Sequence, residues 1–222
     1  SNGLNYQGQD DSYTVEYDTS GQTINIVYSG STKGWIPLDD DDVVEAPSPP
    51  QTQKALFGFG SGPISLTNLV NSSGVVATDT TGVGTARYHL VAASYGGDKA
   101  IFGYGYTDAN VSMTNLVSTS GVVATDVTGV GTARRELAAA SYGTDKVIFG
   151  YGYTSGRVSI TNLASNSGVV ASDVTGVGTV RRYLDAVKYG TDTAIFGYGD
   201  TGSKVSMTNL VSNVGVVATD TT

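Results

Sequence analysis

The sequence predicts an all-β chain on three observations: a unit recurring every 47 residues, short runs of β-branched and aromatic residues closed by turn formers, and glycines interrupting every helical window. The repeat is strict. The asparagines of Thr-Asn-Leu stand at Asn68, Asn115, Asn162 and Asn209, each 47 apart. Gly-Val-Val-Ala begins at Gly74, Gly121, Gly168 and Gly215, each time followed by Thr-Asp or Ser-Asp. Thr-Gly-Val-Gly-Thr-Ala-Arg occupies 81–87 and 128–134 and returns at 175–181 with Val180 in place of Ala. Phe-Gly-aromatic-Gly begins at Phe57, Phe102, Phe149 and Phe196, the first interval being 45 because the opening copy lacks the Tyr-Thr of Tyr106-Thr107 and Tyr153-Thr154.

Within the second copy the runs read as four strands, 88–95, 99–104, 111–117 and 121–125, each bounded by Gly, Asp, Ser or Asn. Alternation places Ala100, Phe102 and Tyr104 on one face. The segment from Arg134 to Ala140 holds good helix formers, yet a run of about ten residues ending in Ser-Tyr-Gly makes a marginal helix, and strand is expected. Four strands per unit and a period of 47 match a β-propeller blade. The small residues Ala92, Ala93, Ala138, Ala139, Ala140 and Ala186 suit an innermost strand, where blades converge.

Charge divides the chain. Of 20 acidic and 12 basic residues, nine acids and only Lys33 lie in residues 1–53, so this stretch carries the whole net charge of −8. The expected organisation is a small β module over 1–45, a Pro-rich linker over 46–53 and a repeat domain over 54–222 of about four blades. In the module, Tyr13, Val15 and Tyr17 and then Ile24, Ile26 and Tyr28 alternate with polar residues around Asp18–Gly21, a hairpin signal, and Gly34-Trp35-Ile36 reads as a third strand. So small a module must dock its apolar face on something. The repeat region opens at a second strand and ends at a fourth. Part of 1–53, another chain, or further sequence would complete its first blade, and a homo-oligomer is expected because an unpaired strand edge invites association.

The unit resembles a Kelch-type blade: Arg87 before the inner strand, a small-residue strand, then Lys99-Ala100-Ile101-Phe102-Gly103-Tyr104-Gly105 where the family has an apolar strand ending in a glycine pair. Ile-Phe-Gly-Tyr-Gly, Thr-Asn-Leu-Val and Gly-Val-Val-Ala-Thr-Asp also resemble repeats in structural proteins of tailed bacteriophages, and the hairpin module resembles short β-modules joining domains of phage fibres. The resemblance implies a virion structural protein, of tail-fibre, spike or surface-decoration type, whose N-terminal module contacts other virion proteins. A Kelch-like protein-interaction scaffold and a secreted bacterial adhesin or lectin are the alternatives.

No enzyme is expected. The chain lacks Cys and has one His, His89, which leaves no thiol nucleophile and no His-based metal cluster or acid/base pair. The glycine phrases lack the lysine and helix of a phosphate loop, and no Gly-x-Ser-x-Gly occurs. No cofactor is expected. Asp39–Asp42 reads as a solvated linker rather than a cation site. Asp79, Asp126, Asp173 and Asp220 read as turn caps on their own backbone, and Arg87, Arg134 and Arg181 as partners of nearby carboxylates rather than an anion-binding ring. A negative chain argues against nucleic acid, and no run reaches the roughly 18 apolar residues of a membrane helix.

Tyrosine is the one hint of recognition. Ten of the 14 tyrosines lie in the repeats, and Tyr104, Tyr106, Tyr151, Tyr153 and Tyr198 cluster at the turn between second and third strands. Together with Asp108, Asn110 and Arg157, from loops that vary most between copies, they are the candidate ligand-binding residues, the expected ligand being a host-surface glycan. Packing between blades is the competing role for the tyrosines.

Overall fold

The computed structural model describes residues 26–30, 34–37 and 55–222. The chain divides into two units, Ser1–Thr52 and Gln53–Thr222, each described by itself. In the first, β1 (Ile26–Tyr28) pairs antiparallel with β2 (Trp35–Pro37), and the rings of Tyr28 and Trp35, opposite one another, lie 5.5 Å apart. These are the second and third strands expected there. The expected strand at Tyr13–Tyr17, the acidic run and the linker lie outside the described residues.

The second unit is all-β among its described residues, as expected, and consists of small antiparallel sheets. The first holds β3 (Ala55–Gly60) and β4 (Ile64–Val70). The second holds β5 (Val91–Tyr95), β6 (Lys99–Gly103) and β7 (Thr114–Val117). The third holds β8 (Ala138–Tyr142), β9 (Lys146–Tyr153) and β10 (Arg157–Ala164), and the fourth β11 (Asp185–Tyr189), β12 (Thr193–Gly197) and β13 (Thr208–Val211). The middle strand pairs with both neighbours in each three-stranded sheet. The segment from Arg134 to Ala140 is not helical, and its end enters β8. The expected fourth strand is reduced to isolated bridges, Val117↔Val123 and Thr114↔Val127 in the second copy.

Consecutive sheets pack face to face. Phe59 and Leu56 of the first meet Phe102, Val117 and Val123 of the second. Tyr95, Ile101 and Tyr104 meet Val147, Phe149 and Val170, and Ile148 and Tyr151 meet Phe196, Val211 and Val217. The inner strands follow one another in space: the Ser94 and Ser141 hydroxyls lie 2.9 Å apart, and the Gly96 and Gly143 N–H groups donate to Asp145 O and Asp192 O. Sheet three is covered on both sides, and its inner strand opens with three small residues, Ala138, Ala139 and Ala140, all buried.

One expectation of facing is corrected. Ala100 and Phe102 look toward the first sheet, but Tyr104 packs on the opposite side against Phe149. The alternation breaks because Phe59, Tyr104, Tyr151 and Tyr198 each have φ of 62–63°, in the left-handed region. That conformation costs about 1–3 kcal/mol in a bulky residue. It is held by the Tyr104 N–H on Met113 O and by the Gly105 N–H on Arg134 O of the following repeat.

Candidate functional site

The recurring phrases turn out to be partners of one another. Arg87, wholly buried, lays its guanidinium 4.5 Å above the Phe59 ring; Arg134 and Arg181 cover Tyr104 and Tyr151 at 4.3 and 4.1 Å. Arg87 donates from Nε to Tyr104 O at 2.8 Å, from Nη1 to Thr85 O at 3.1 Å and from Nη2 to Asn115 Oδ1 at 2.6 Å. Asn115 Nδ2 in turn donates to Ala124 O and Asp126 Oδ1, and Asp126 accepts the Thr85 N–H and hydroxyl. Burial pushes the Arg87 pKa down to about 10, with Asp126 opposing, so the group stays charged at neutral pH. The arginines are therefore structural. Arg87–Asp126 at 3.8 Å and Arg181–Asp220 at 3.6 Å are the carboxylate pairings expected, though uncharged acceptors and rings supply the closer contacts.

The aspartates do not cap their own turns. Asp126, Asp173 and Asp220 instead hold Thr85, Thr132 and Thr179, each 41 residues upstream, and so latch the phrase entering a repeat to the segment leaving it. Burial works to raise these carboxyls, but the Thr and Asn hydrogen bonds outweigh it and leave each below its ordinary pKa. A folded pKa below the unfolded value adds stability above about pH 4 that is lost as pH falls through the folded value. Urea midpoints are therefore expected to stay flat from pH 7 to about 5 and to drop below about 4. Asp173→Asn should make that drop shallower while lowering the neutral-pH midpoint.

The expected tyrosine set divides. Tyr104 and Tyr151 are fully enclosed between sheets, where burial pushes their hydroxyls up in pKa, and they leave the candidate set: the left-handed turn points their rings inward. Tyr198, the equivalent residue of the last sheet, is 66% exposed. Tyr106 and Tyr153 are half-buried at the strand ends, stacked with arginines absent from the expected set. Arg135 lies 4.6 Å from the Tyr106 centroid and 5.0 Å from Tyr153; Arg182 lies 4.8 Å from Tyr153 and 4.9 Å from Tyr183. Glu136, its side chain almost wholly buried, accepts from Arg135, Arg182 and the Tyr183 hydroxyl, and that last bond holds the phenol above its ordinary pKa. The variable loops tie into this ladder. Asn110 accepts from Arg135 and donates to Thr154 O, while Arg157 grips Asp200 at 2.7 Å and holds its carboxyl down to about 2. Asp108 stays exposed.

The ladder's remaining members follow each structural arginine: Tyr88-His89, Arg135-Glu136 and Arg182-Tyr183. His89, Glu136 and Tyr183 share φ of 53–57°, with the Glu136 N–H on His89 O and the Tyr183 N–H on Glu136 O. His89 thus corresponds to Glu136 and Tyr183, and its neighbours are the rings of Tyr88 and Tyr183. The signal available in the sequence was variation directly after an invariant arginine. At the opposite sheet end, a depression of about 100 Å³ lined by Ser94, Tyr95, Gly97, Ser141, Thr144 and Lys188 is too small for a sugar. Among the described residues no three His, Cys, Asp or Glu side chains gather into a metal-binding group, and no helix is long and apolar enough to cross a membrane. No protein-family model matches the chain, and no curated protein is similar to it.

Proposed function

We propose that the repeat unit is a propeller-like, Kelch-like array and that the chain is a structural subunit of a virus particle, a bacteriophage tail fibre, spike or decoration protein, whose repeat domain attaches to host-surface glycan. The N-terminal module is the contact to other virion proteins. The observation that carries the attachment reading is the Tyr106–Arg135–Tyr153–Arg182–Tyr183 ladder. Three successive repeats contribute to it, and the pair directly after the invariant arginine changes from copy to copy, Tyr88-His89, Arg135-Glu136 and Arg182-Tyr183, on a scaffold whose core residues repeat.

The chemistry fits sugars. Tyrosine faces offer apolar surface to a pyranose ring, and guanidinium edges about a quarter exposed donate to hydroxyls and carboxylates. Glu136 neutralises part of the arginine charge and fixes both forks, so the surface is preorganised and binding costs little side-chain entropy. Virion attachment draws its support from the resemblance of the repeat wording.

Tyr183→Ala removes the most exposed ring of the ladder without opening the core. It is expected to weaken binding of host-surface glycan, read on a glycan array and then by titration, about tenfold, an amount typical of one stacked or cation–π contact with its desolvation. Tyr106→Ala and Tyr153→Ala should also lose binding. Unchanged binding in all three removes the ladder as the attachment site, and antibody labelling that fails to find the protein on purified particles removes the virion assignment.

A further inference from the structure

The two outer faces of the sheet stack are the unmade halves of a contact that the chain makes three times internally. At each internal junction an aromatic in left-handed conformation meets a phenylalanine of the next sheet edge to face: Phe59 with Phe102, Tyr104 with Phe149, Tyr151 with Phe196, at 5.1–5.2 Å. At each junction a leucine also fills the space above a glycine of the next repeat: Leu69 at Gly121, Leu116 at Gly168, Leu163 at Gly215. The next sheet's valine is closed over, leaving Val123, Val170 and Val217 at 7–9% exposure.

Continuing the series by one step gives Tyr198 and Leu210 on the β12–β13 face, and Phe57, Gly74 and Val76 on the β3–β4 face. All are uncovered. Tyr198 is 66% and Leu210 45% exposed; Phe57 is 63% and Val76 53% exposed, and nothing lies within 4 Å of the place a Gly74 side chain would occupy. One face has the projecting leucine and tyrosine, the other the vacant glycine and the phenylalanine. Each face complements the other and neither complements itself.

We propose that the β12–β13 face of one chain docks on the β3–β4 face of a second copy, head to tail, continuing the internal junction between molecules. Asp185, exposed, stands where the third sheet has buried Ala138, and it lies on β11, beside the β12–β13 face rather than on it. The intermolecular contact also lacks the arginine that covers the ring internally, which makes it weaker than the three built into the chain. A heterologous interface of this kind closes into a ring or extends as a filament.

Sedimentation over a concentration series tests the proposal. The wild-type chain is expected to self-associate. Phe57→Glu and Tyr198→Glu, both at exposed positions and so compatible with folding, should each raise the dissociation constant about tenfold or more, since a carboxylate would be buried unpaired. Mixed together, the two variants retain one intact face each and should form a one-to-one dimer that grows no further. Gly197→Ala should keep the fold and weaken association, because the equivalent glycine of the third sheet has the next sheet's phenylalanine ring on it. A wild-type chain that stays monomeric, association unchanged by both Glu variants, or a mixture that restores nothing would overturn the proposal. The second result would assign assembly to residues 1–53 and the third to a symmetric contact.

Discussion

Arg87→Ala is expected to destabilise the repeat unit by about 3–5 kcal/mol, the range for removing one member of a buried charged network. The side chain is wholly enclosed, and its loss strands Tyr104 O, Thr85 O and Asn115 Oδ1, three acceptors that water reaches poorly. It also opens a cavity over Phe59 and leaves Asp126 without its cation. Arg87→Lys is not a rescue. A single ammonium cannot reach three acceptors spread around a planar fork, nor stack flat on a ring. Arg87→Met restores most of the volume but none of the donors, so it should fall between wild type and Ala. Arg182→Ala supplies the contrast: its side chain is about a quarter exposed at the ladder, and its loss should cost about 1 kcal/mol. Urea titrations at pH 7 with a common slope read all four. A loss below about 1 kcal/mol for Arg87→Ala would mean that water replaces the guanidinium, contrary to its enclosure.

That network marks the boundary of what the amino-acid order discloses. Strand positions were legible because they rest on local signals: Lys99–Gly103 and Thr114–Val117 are β-rich runs between turn residues, and the alanines of β8 announce a strand squeezed on both faces. The partners of Asp126 were not legible, since an aspartate near a turn usually bonds its own backbone and nothing local says that its threonine lies 41 residues upstream. The co-recurrence of Thr, Arg, Asn and Asp at fixed offsets was the available clue. Period alone does not say which recurring residues touch. The inward turn of Tyr104 was hidden for a different reason. Two-residue alternation assumes extended backbone, and one left-handed residue reverses every facing after it. Hence two of the five tyrosines, Tyr104 and Tyr151, proved to be core, and the ladder's arginines, which sit beside the invariant ones, went unmarked.

Gly150→Ala should unfold the repeat array more easily by about 1–3 kcal/mol, the usual penalty of overpacking. A Cβ there would meet Phe196 Cζ at 2.5 Å and Cε1 at 2.9 Å, and that ring has no room to retreat because it is itself fully buried against Tyr151. Backbone strain plays no part, as Gly150 is not in the left-handed region. Gly197 is the same position one repeat later, with no described sheet packed on it; the nearest atom to its Cβ would be Thr208 Cγ2 at an ordinary 3.7 Å. Gly197→Ala should therefore leave the monomer unchanged or stabilise it by about 0.5 kcal/mol, through the reduced freedom of the unfolded chain. Both variants alter the sequence identically, so their difference isolates the packing of one sheet on the next from any general effect of glycine in a strand. Thermal melts at a concentration too low for association read the pair. Equal melting temperatures would mean that the rings do not sit over the glycines, and the face-to-face stacking would fail with them.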